Sequence, residues 1–327
     1  MATQSSNKKK VLVLQGLHQA GMDMLAARDD IEPVVLMSSD EAEIAAAARD
    51  VHAITVRTAK VTRKIIEGAE NLAVVSRHGV GYDAVDVEAL SERNVPLTIA
   101  IHSNMISVAE HAMFFMLALA KNVYYYDSMT RKSEWGNRWD IKAWDLADKN
   151  LLIMGFGRIG SRVARRAAAF DMKVHVYDPY IEDSTIQRAG CTPVKDYRAV
   201  LGEMDFVTIH CPRNKETIGM FSTAEFKAMK KSAFIVNCAR GSIIDEAALH
   251  HALTTGEIRA AGLDVFDEEP SPASNPLFAL DNILTSPHIA GVTVESTIRM
   301  ATQTVQNVLD AFDGKLDRAV VVNKNVL

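Results

Sequence analysis

Cysteine is scarce in this chain: three in 327 residues, Cys191, Cys211 and Cys238, none in C-x-x-C spacing. That argues against a disulfide framework and favours free thiols in a reducing compartment; no metal site is expected. Long apolar runs are also missing. The longest, residues 112–120, is far too short to cross a bilayer. Residues 1–10 lack the apolar core of a secretory signal, so a cytoplasmic protein is the expectation. Excess positive charge is absent: 36 Lys and Arg against 41 Asp and Glu leave a net charge of −5. Nucleic acid and anionic membrane surfaces are therefore not expected partners. The one basic run, Lys8, Lys9 and Lys10, reads as the solvated end of a polar N-terminal tail. There are no repeats at solenoid periods and no low-complexity linker.

What is present is an ordinary globular composition, 48% hydrophobic and 24% charged, in a chain long enough for two cores. Short apolar strand-like runs alternate with helix-like segments throughout. That pattern predicts an α/β chain with parallel sheets and helices on both faces. Candidate strands are residues 11–15, 34–36, 53–56, 73–76 and 97–99, then 151–154, 173–177, 206–210, 234–237, 260–264 and 283–285. Ser107 and Glu110 have S-x-x-E spacing and read as a capping box opening a helix through Leu119 toward Ser128. In that reading Glu110 is the cap's partner and His111 an ordinary helix residue. Another long helix is expected from about Thr293. If these two helices join the units, a nucleotide-binding domain (105–292) is inserted into a substrate domain (1–104 and 293–327), with substrate between them. Residues 124–145 follow neither periodicity. Their three tryptophans, Trp135, Trp139 and Trp144, suit an arm packing on a second copy of the chain, a homodimer.

The most specific signal lies at residues 150–178. An apolar strand leads into Gly155-Phe156-Gly157-Arg158-Ile159-Gly160, a G-x-G-x-x-G turn. A helix is expected over 158–170, and a second strand ends in Asp178. This is a complete dinucleotide-binding βαβ unit, so the expected fold is two Rossmann-like or flavodoxin-like domains. Gly155 permits the tight turn, Gly157 the approach of a pyrophosphate to backbone amides, and Gly160 close packing of helix on strand. The helix dipole faces the diphosphate. Asp178 can accept hydrogen bonds from ribose hydroxyls and would repel a 2′-phosphate, which favours NAD over NADP.

Three polar residues follow strand ends in the same half of the chain: Arg240, Glu269 and His288. Ligands of open parallel sheets bind beyond the carboxyl ends of the strands. The three types suit hydride exchange at a 2-oxo or 2-hydroxy acid. Histidine can deliver the proton that a reduced carbonyl needs. A neighbouring carboxylate orients the ring and favours imidazolium. Arginine can hold the substrate carboxylate in a fork and polarise the carbonyl. Cys238, Ala239 and Gly291, beside these residues, are taken as further cofactor contacts.

Several motifs in order make the chain similar to the D-isomer-specific 2-hydroxyacid dehydrogenases. They are the run from Arg77 and His78 through Gly79, Val80 and Gly81 to Asp83; Ser107 to His111; the G-x-G-x-x-G; His210, Cys211 and Pro212 with Thr217; Asn237 to Gly241; Asp264 to Pro270; and Ser286 to Gly291. Asn214 and Ala84 depart from the family's usual Thr and Asn. The resemblance implies His288 as acid/base, Glu269 as its partner and Arg240 as the substrate-binding cation. It implies that the amides around Val80 and Gly81 take the substrate carboxylate. It also implies that Asp264 meets the nicotinamide carboxamide, and that His210, Cys211, Pro212 and Thr217 line the cofactor's adenosine side.

Arg57, with Lys60 nearby, could receive a second anionic group such as a phosphate; the bland reading is that Lys60 and Arg63 coat a solvated helix start. The resemblance here is nearest to the phosphoglycerate dehydrogenase and hydroxypyruvate/glyoxylate reductase branches. The chain ends soon after its final helix, so a C-terminal serine-sensing module is not expected. Two rivals use the same fold: formate oxidation, whose branch has Gln where this chain has Glu269, and a catalytically weak NAD(H)-sensing interaction protein.

Overall fold

The computed structural model describes residues 8–140 and 142–327. It divides into two compact units, one taking residues up to Asn104 and from Val292 onward, the other Met105–Gly291.

The first unit alternates β1 (Lys9–Leu14), α1 (Gln19–Ala26), β2 (Ile31–Leu36), α2 (Glu41–Ala48) and β3 (Ala53–Val56). It continues through α3 (Arg63–Gly68), β4 (Val74–Arg77), α4 (Val87–Glu92) and β5 (Leu97–Ile99). These strands form a parallel sheet in the order β2-β1-β3-β4-β5. All four residues of the largely apolar β3 are buried, as strands of a parallel sheet are when helices cover both faces.

The second unit opens with α5 (Met105–Ala120) and α6 (Val123–Arg131). Then come β6 (Asn150–Met154), α7 (Gly160–Ala168), β7 (Lys173–Tyr177), α8 (Asp183–Arg188), β8 (Thr192–Pro193) and α9 (Tyr197–Val200). It ends with β9 (Phe206–Ile209), α10 (Thr223–Ala228), β10 (Phe234–Asn237), α11 (Glu246–Thr255), β11 (Ala260–Leu263) and β12 (Ile283–Thr285). Its parallel sheet runs β12-β11-β10-β9-β6-β7-β8, reversing direction at the β9/β6 boundary. On one face pack α5 and α7, α7 through Gly160, Val163, Ala164 and Ala167 at helical spacing. Gly262 in β11 makes room for them: a Cβ there would lie 3.0 Å from the Phe115 ring. The opposite face buries Phe221 and Phe226 with Leu249 and Leu253. Finally α12 (Val294–Phe312) returns to the first unit, N-capped by Thr293, whose side chain accepts from the Ser296 amide.

Several expectations from sequence are corrected. Lys9 and Lys10 are not a tail but the start of β1; Lys9 lies over the Phe312 ring and Lys10 pairs with Asp50. Ser107 is not a cap, because α5 begins at Met105 and buries it in the first turn. Glu110 instead pairs with Arg166 at 3.0 Å. The helix does not run on to Ser128: Asn122 takes a left-handed φ of 49° and turns α6 away by 58°. The helix after the glycine turn starts at Gly160, two residues later than expected, because Arg158 and Ile159 belong to the turn itself. Among the described residues no single helix is long and apolar enough to cross a membrane. Of the tryptophans, Trp144 packs against its own unit's core, beneath Lys149 and Arg259.

Candidate functional site

Each glycine of the turn after β6 has its own reason. Gly155 has φ +96°, and a Cβ there would sit 2.9 Å from the Cys211 amide nitrogen. A Cβ on Gly160 would lie 2.0 Å from the Gly155 carbonyl oxygen, so only glycine lets α7 start that close to β6. Gly157 differs. A Cβ there meets nothing within 4 Å, so no contact inside the protein demands glycine. The amides of Gly157, Arg158 and Ile159 donate to no protein acceptor among the described residues. Open space and unused donors at the start of a helix fit a diphosphate. Asp178, at the end of β7, accepts from the Phe156 amide at 2.8 Å and the Tyr180 amide at 3.0 Å. It thus pins the turn, and each oxygen retains further acceptor capacity.

His210 and Cys211 follow β9 and press against Gly155. The Thr208 hydroxyl meets His210 Nε2 at 2.9 Å, while Nδ1 is buried without a partner. Burial lowers the His210 pKa to about 3 and raises that of Cys211 to about 11. Both side chains are therefore neutral at pH 7. The Thr217 hydroxyl donates to the Pro212 carbonyl at 2.6 Å. Asn214, a departure from the usual Thr, caps the same turn by accepting from the Glu216 amide at 2.8 Å.

Arg240, Glu269 and His288 are assembled by the loops after β10, β11 and β12. Asn237 ends β10, and its side chain donates to the Arg240 carbonyl (2.8 Å) while accepting from the Ala239 amide (2.9 Å). Gly241 lies so close to the next loop that a Cβ would come within 1.9 Å of the Phe266 carbonyl oxygen. The Phe266 amide in turn donates to Glu269 Oε1 at 2.9 Å, and Glu269 Oε2 meets His288 Nδ1 at 2.6 Å. Burial raises the Glu269 pKa. The His288 hydrogen bond, the Phe266 amide and the charges of His288 and Arg240 outweigh that effect and hold it below the usual carboxylate range. An ionised Glu269 accepts the Nδ1 proton, which leaves His288 Nε2 for chemistry.

The loop that carries His288 is organised around Asp264, only 1% exposed. Its Oδ1 accepts from the Ile289 amide (2.8 Å) and the Ser286 hydroxyl, and its Oδ2 from the Ala290 amide (2.8 Å). Its carbonyl takes the His288 amide at 2.8 Å. His288 itself has φ +53°, a left-handed conformation that this ring of bonds imposes. Cys238 lies buried beside Asp264, its thiol pKa pushed up by burial and by that charge. The reading of His111 as an ordinary helix residue is overturned: its Nε2 meets the Ser286 hydroxyl at 3.0 Å and lies 4.0 Å from Asp264. A part-buried imidazole followed by an apolar stretch of helix (Ala112–Ala120) was the signal, because a polar group drawn into a core must find a partner.

In the first unit, Gly79 (φ +131°) accepts from the Ala100 amide at 2.8 Å, leaving the Val80 and Gly81 amides with no acceptor among the described residues. Arg57 is exposed after β3 and donates to the Gln15 carbonyl at 3.1 Å. Arg63 is committed elsewhere, to Glu92 at 2.5 Å. Lys60 is exposed at the mouth of the same loop.

Fold and site together define a doubly wound α/β chain with a dinucleotide turn and a His–Glu pair on loops after strands of one parallel sheet. Residues 113–290 match the model of the D-isomer specific 2-hydroxyacid dehydrogenase, NAD binding domain. The chain is 38% identical over 97% of its length to a D-3-phosphoglycerate dehydrogenase of Methanocaldococcus jannaschii, covering 60% of that protein. It is 34% identical to a glyoxylate reductase of Pyrococcus furiosus, across 98% of this chain and 97% of that one. A crystal structure of D-lactate dehydrogenase from Aquifex aeolicus, complexed with NAD and lactic acid, superposes with a TM-score of 0.86 at 26% identity, over 96% of this chain and 99% of the other. The chain belongs to the D-isomer specific 2-hydroxyacid dehydrogenase family, and residues 113–290, which match that family's NAD binding domain, lie within the second unit. It spans about three-fifths of the length of the phosphoglycerate dehydrogenases it matches.

Proposed function

We propose that this chain is an NAD-dependent D-2-hydroxyacid dehydrogenase, or 2-oxoacid reductase, acting on small acids of the 3-phosphoglycerate or hydroxypyruvate/glyoxylate type. The observation that carries the reading is the 2.6 Å bond between His288 Nδ1 and Glu269, in a site whose acid also feels the charge of Arg240. Bound NAD supplies or accepts the hydride at C2. Arg240 holds the substrate carboxylate and draws electron density from the carbonyl. During reduction His288 gives the Nε2 proton to the carbonyl oxygen, and Glu269 stabilises the ring through Nδ1. During oxidation Nε2 takes the hydroxyl proton back.

The amides of Gly157, Arg158 and Ile159 are the proposed diphosphate donors, with Asp178 on the ribose. Gly155, Phe156, Gly160, His210, Cys211, Pro212, Thr217, Cys238, Ala239, Asp264 and Gly291 complete the proposed cofactor set. In the first unit, the unused Val80 and Gly81 amides are assigned to the substrate carboxylate and Arg57 to a further anionic group. Residues 1–104 and 293–327 then form the substrate domain, and 105–292 the cofactor domain. Unpaired cysteines favour a reducing, cytoplasmic setting. Exposed Trp135 (60%) and Trp139 (75%) favour a homodimer through that arm.

The test is NADH oxidation with glyoxylate, hydroxypyruvate and pyruvate, together with NAD reduction by 3-phosphoglycerate. Turnover of at least one acid is the expected result. NADH binding with no turnover of any of them would support a sensor instead.

A further inference from the structure

We infer that His111, Ser286 and Asp264 form a hydrogen-bonded relay that positions His288, with His111 a positioning residue for the reaction. The inference rests on the proposed role of His288 as the proton-transfer group.

The direction of the relay follows from counting protons. Asp264 is buried at the end of β11, and a buried carboxylate must be supplied with donors. Ser286 has a single hydroxyl proton and gives it to Asp264 Oδ1. Its oxygen can then only accept from His111, 3.0 Å away, so His111 carries its proton on Nε2. Burial lowers the basicity of the His111 ring and the Asp264 charge opposes this in part, which favours the neutral donor form.

The far end of the relay bears on His288 itself. Asp264 receives the amides of Ile289 and Ala290, and its carbonyl receives the amide of His288. One residue thus organises three successive amides, two through its carboxylate and the first, that of the left-handed His288, through its carbonyl. The other end is fixed to α5. The His111 ring meets Phe115 edge-on, 4.5 Å between centroids, and Phe115 is fully buried against the sheet. Without His111, the Ser286 hydroxyl loses the donor that sets its rotamer. Asp264 is then free to trade partners, and the imidazole of His288 loses its fixed pose. Displacement of a reacting group by about 1 Å can cost up to ~100-fold in rate.

The experiment compares His111→Leu, His111→Gln, Ser286→Ala and the His111→Leu/Ser286→Ala double variant. Gln is chosen because its amide nitrogen can donate from near the position of Nε2. Two quantities are read: amide hydrogen exchange at Ile289 and Ala290, and kcat and KM with the best substrate. Both His111→Leu and Ser286→Ala are expected to speed exchange by ~10-fold and lower kcat by ~10- to 100-fold, with KM for NADH within about twofold. The double variant is expected to be no worse than Ser286→Ala, because both changes cut one chain. His111→Gln is expected to recover most of both losses, which a merely space-filling His111 would not allow. Unchanged exchange in His111→Leu, multiplying losses in the double variant, altered exchange with unaltered kcat, or a Gln variant as impaired as Leu would each overturn the relay. Exchange is read without substrate, so an unmodified enzyme that turned over no acid would count against the proposed function alone.

Discussion

At the scale of single residues, the site depends on which groups hold charge. Glu269 is a carboxylate whose ionised form is favoured by the folded state. Its contribution to stability is present above the unfolded carboxylate pKa of about 4.3, and is lost as pH falls through its lower folded value. His78 and His210 act at higher pH. Burial holds His210 at about 3, and burial with the charges of Arg57 and Arg77 holds His78 at about 4. The unfolded chain binds protons on both below about pH 6.5 and the folded chain does not, so stability falls as pH drops from about 6.5 toward 4. Urea unfolding at pH 7.5 and pH 5 is expected to show that loss, and a pH-independent midpoint across this interval would refute it. Asp178 carries a second prediction. Its replacement by Ala is expected to narrow the ratio of NADP to NAD dissociation constants by ~10-fold or more, since a fixed repulsive charge is removed. Calorimetric titration with both cofactors reads the ratio; an unaltered ratio would remove Asp178 from the ribose.

At the scale of elements, the sheets were legible because fully buried strands such as Ala53–Val56 and Phe234–Asn237 are short, largely apolar runs flanked by turn residues. The glycine turn was legible for the same local reason, and so were the strand-end positions of Arg240, Glu269 and His288. What escaped was decided by tertiary contacts. Thr192–Pro193 is a two-residue edge strand with no periodicity to detect. Ser107 and Glu110 have the spacing of a cap, yet α5 starts earlier and Glu110 pairs with Arg166 on α7. His111 could not be placed without the fold, because Ser286 lies 175 residues away. Gly241 belongs to this scale as well. The close approach it allows brings the Arg240 loop against the Glu269 loop, so Gly241→Ala is expected to cost ~1–3 kcal/mol and to lower kcat. Thermal unfolding and steady-state kinetics check both halves; a variant with parental stability and rate would show that the two loops need not touch.

At the scale of the whole molecule, the family's phosphoglycerate dehydrogenases are longer than this chain, whereas the glyoxylate reductase is matched nearly end to end. All three proposed reacting side chains lie on loops that follow strands of the second unit's sheet. The exposed Trp135 and Trp139 lie beside exposed Val123 and Tyr124 in one stretch of that unit. If this stretch is the dimer contact, a Trp135→Ser/Trp139→Ser variant is expected to halve the mass seen by light scattering; an unchanged mass would place the contact elsewhere. The central claim concerns proton transfer, and His288→Gln tests it most directly. With circular dichroism and NADH affinity unchanged, kcat for reduction of the best 2-oxo acid is expected to fall at least ~100-fold. A folded His288→Gln enzyme that keeps most of its turnover would contradict the account.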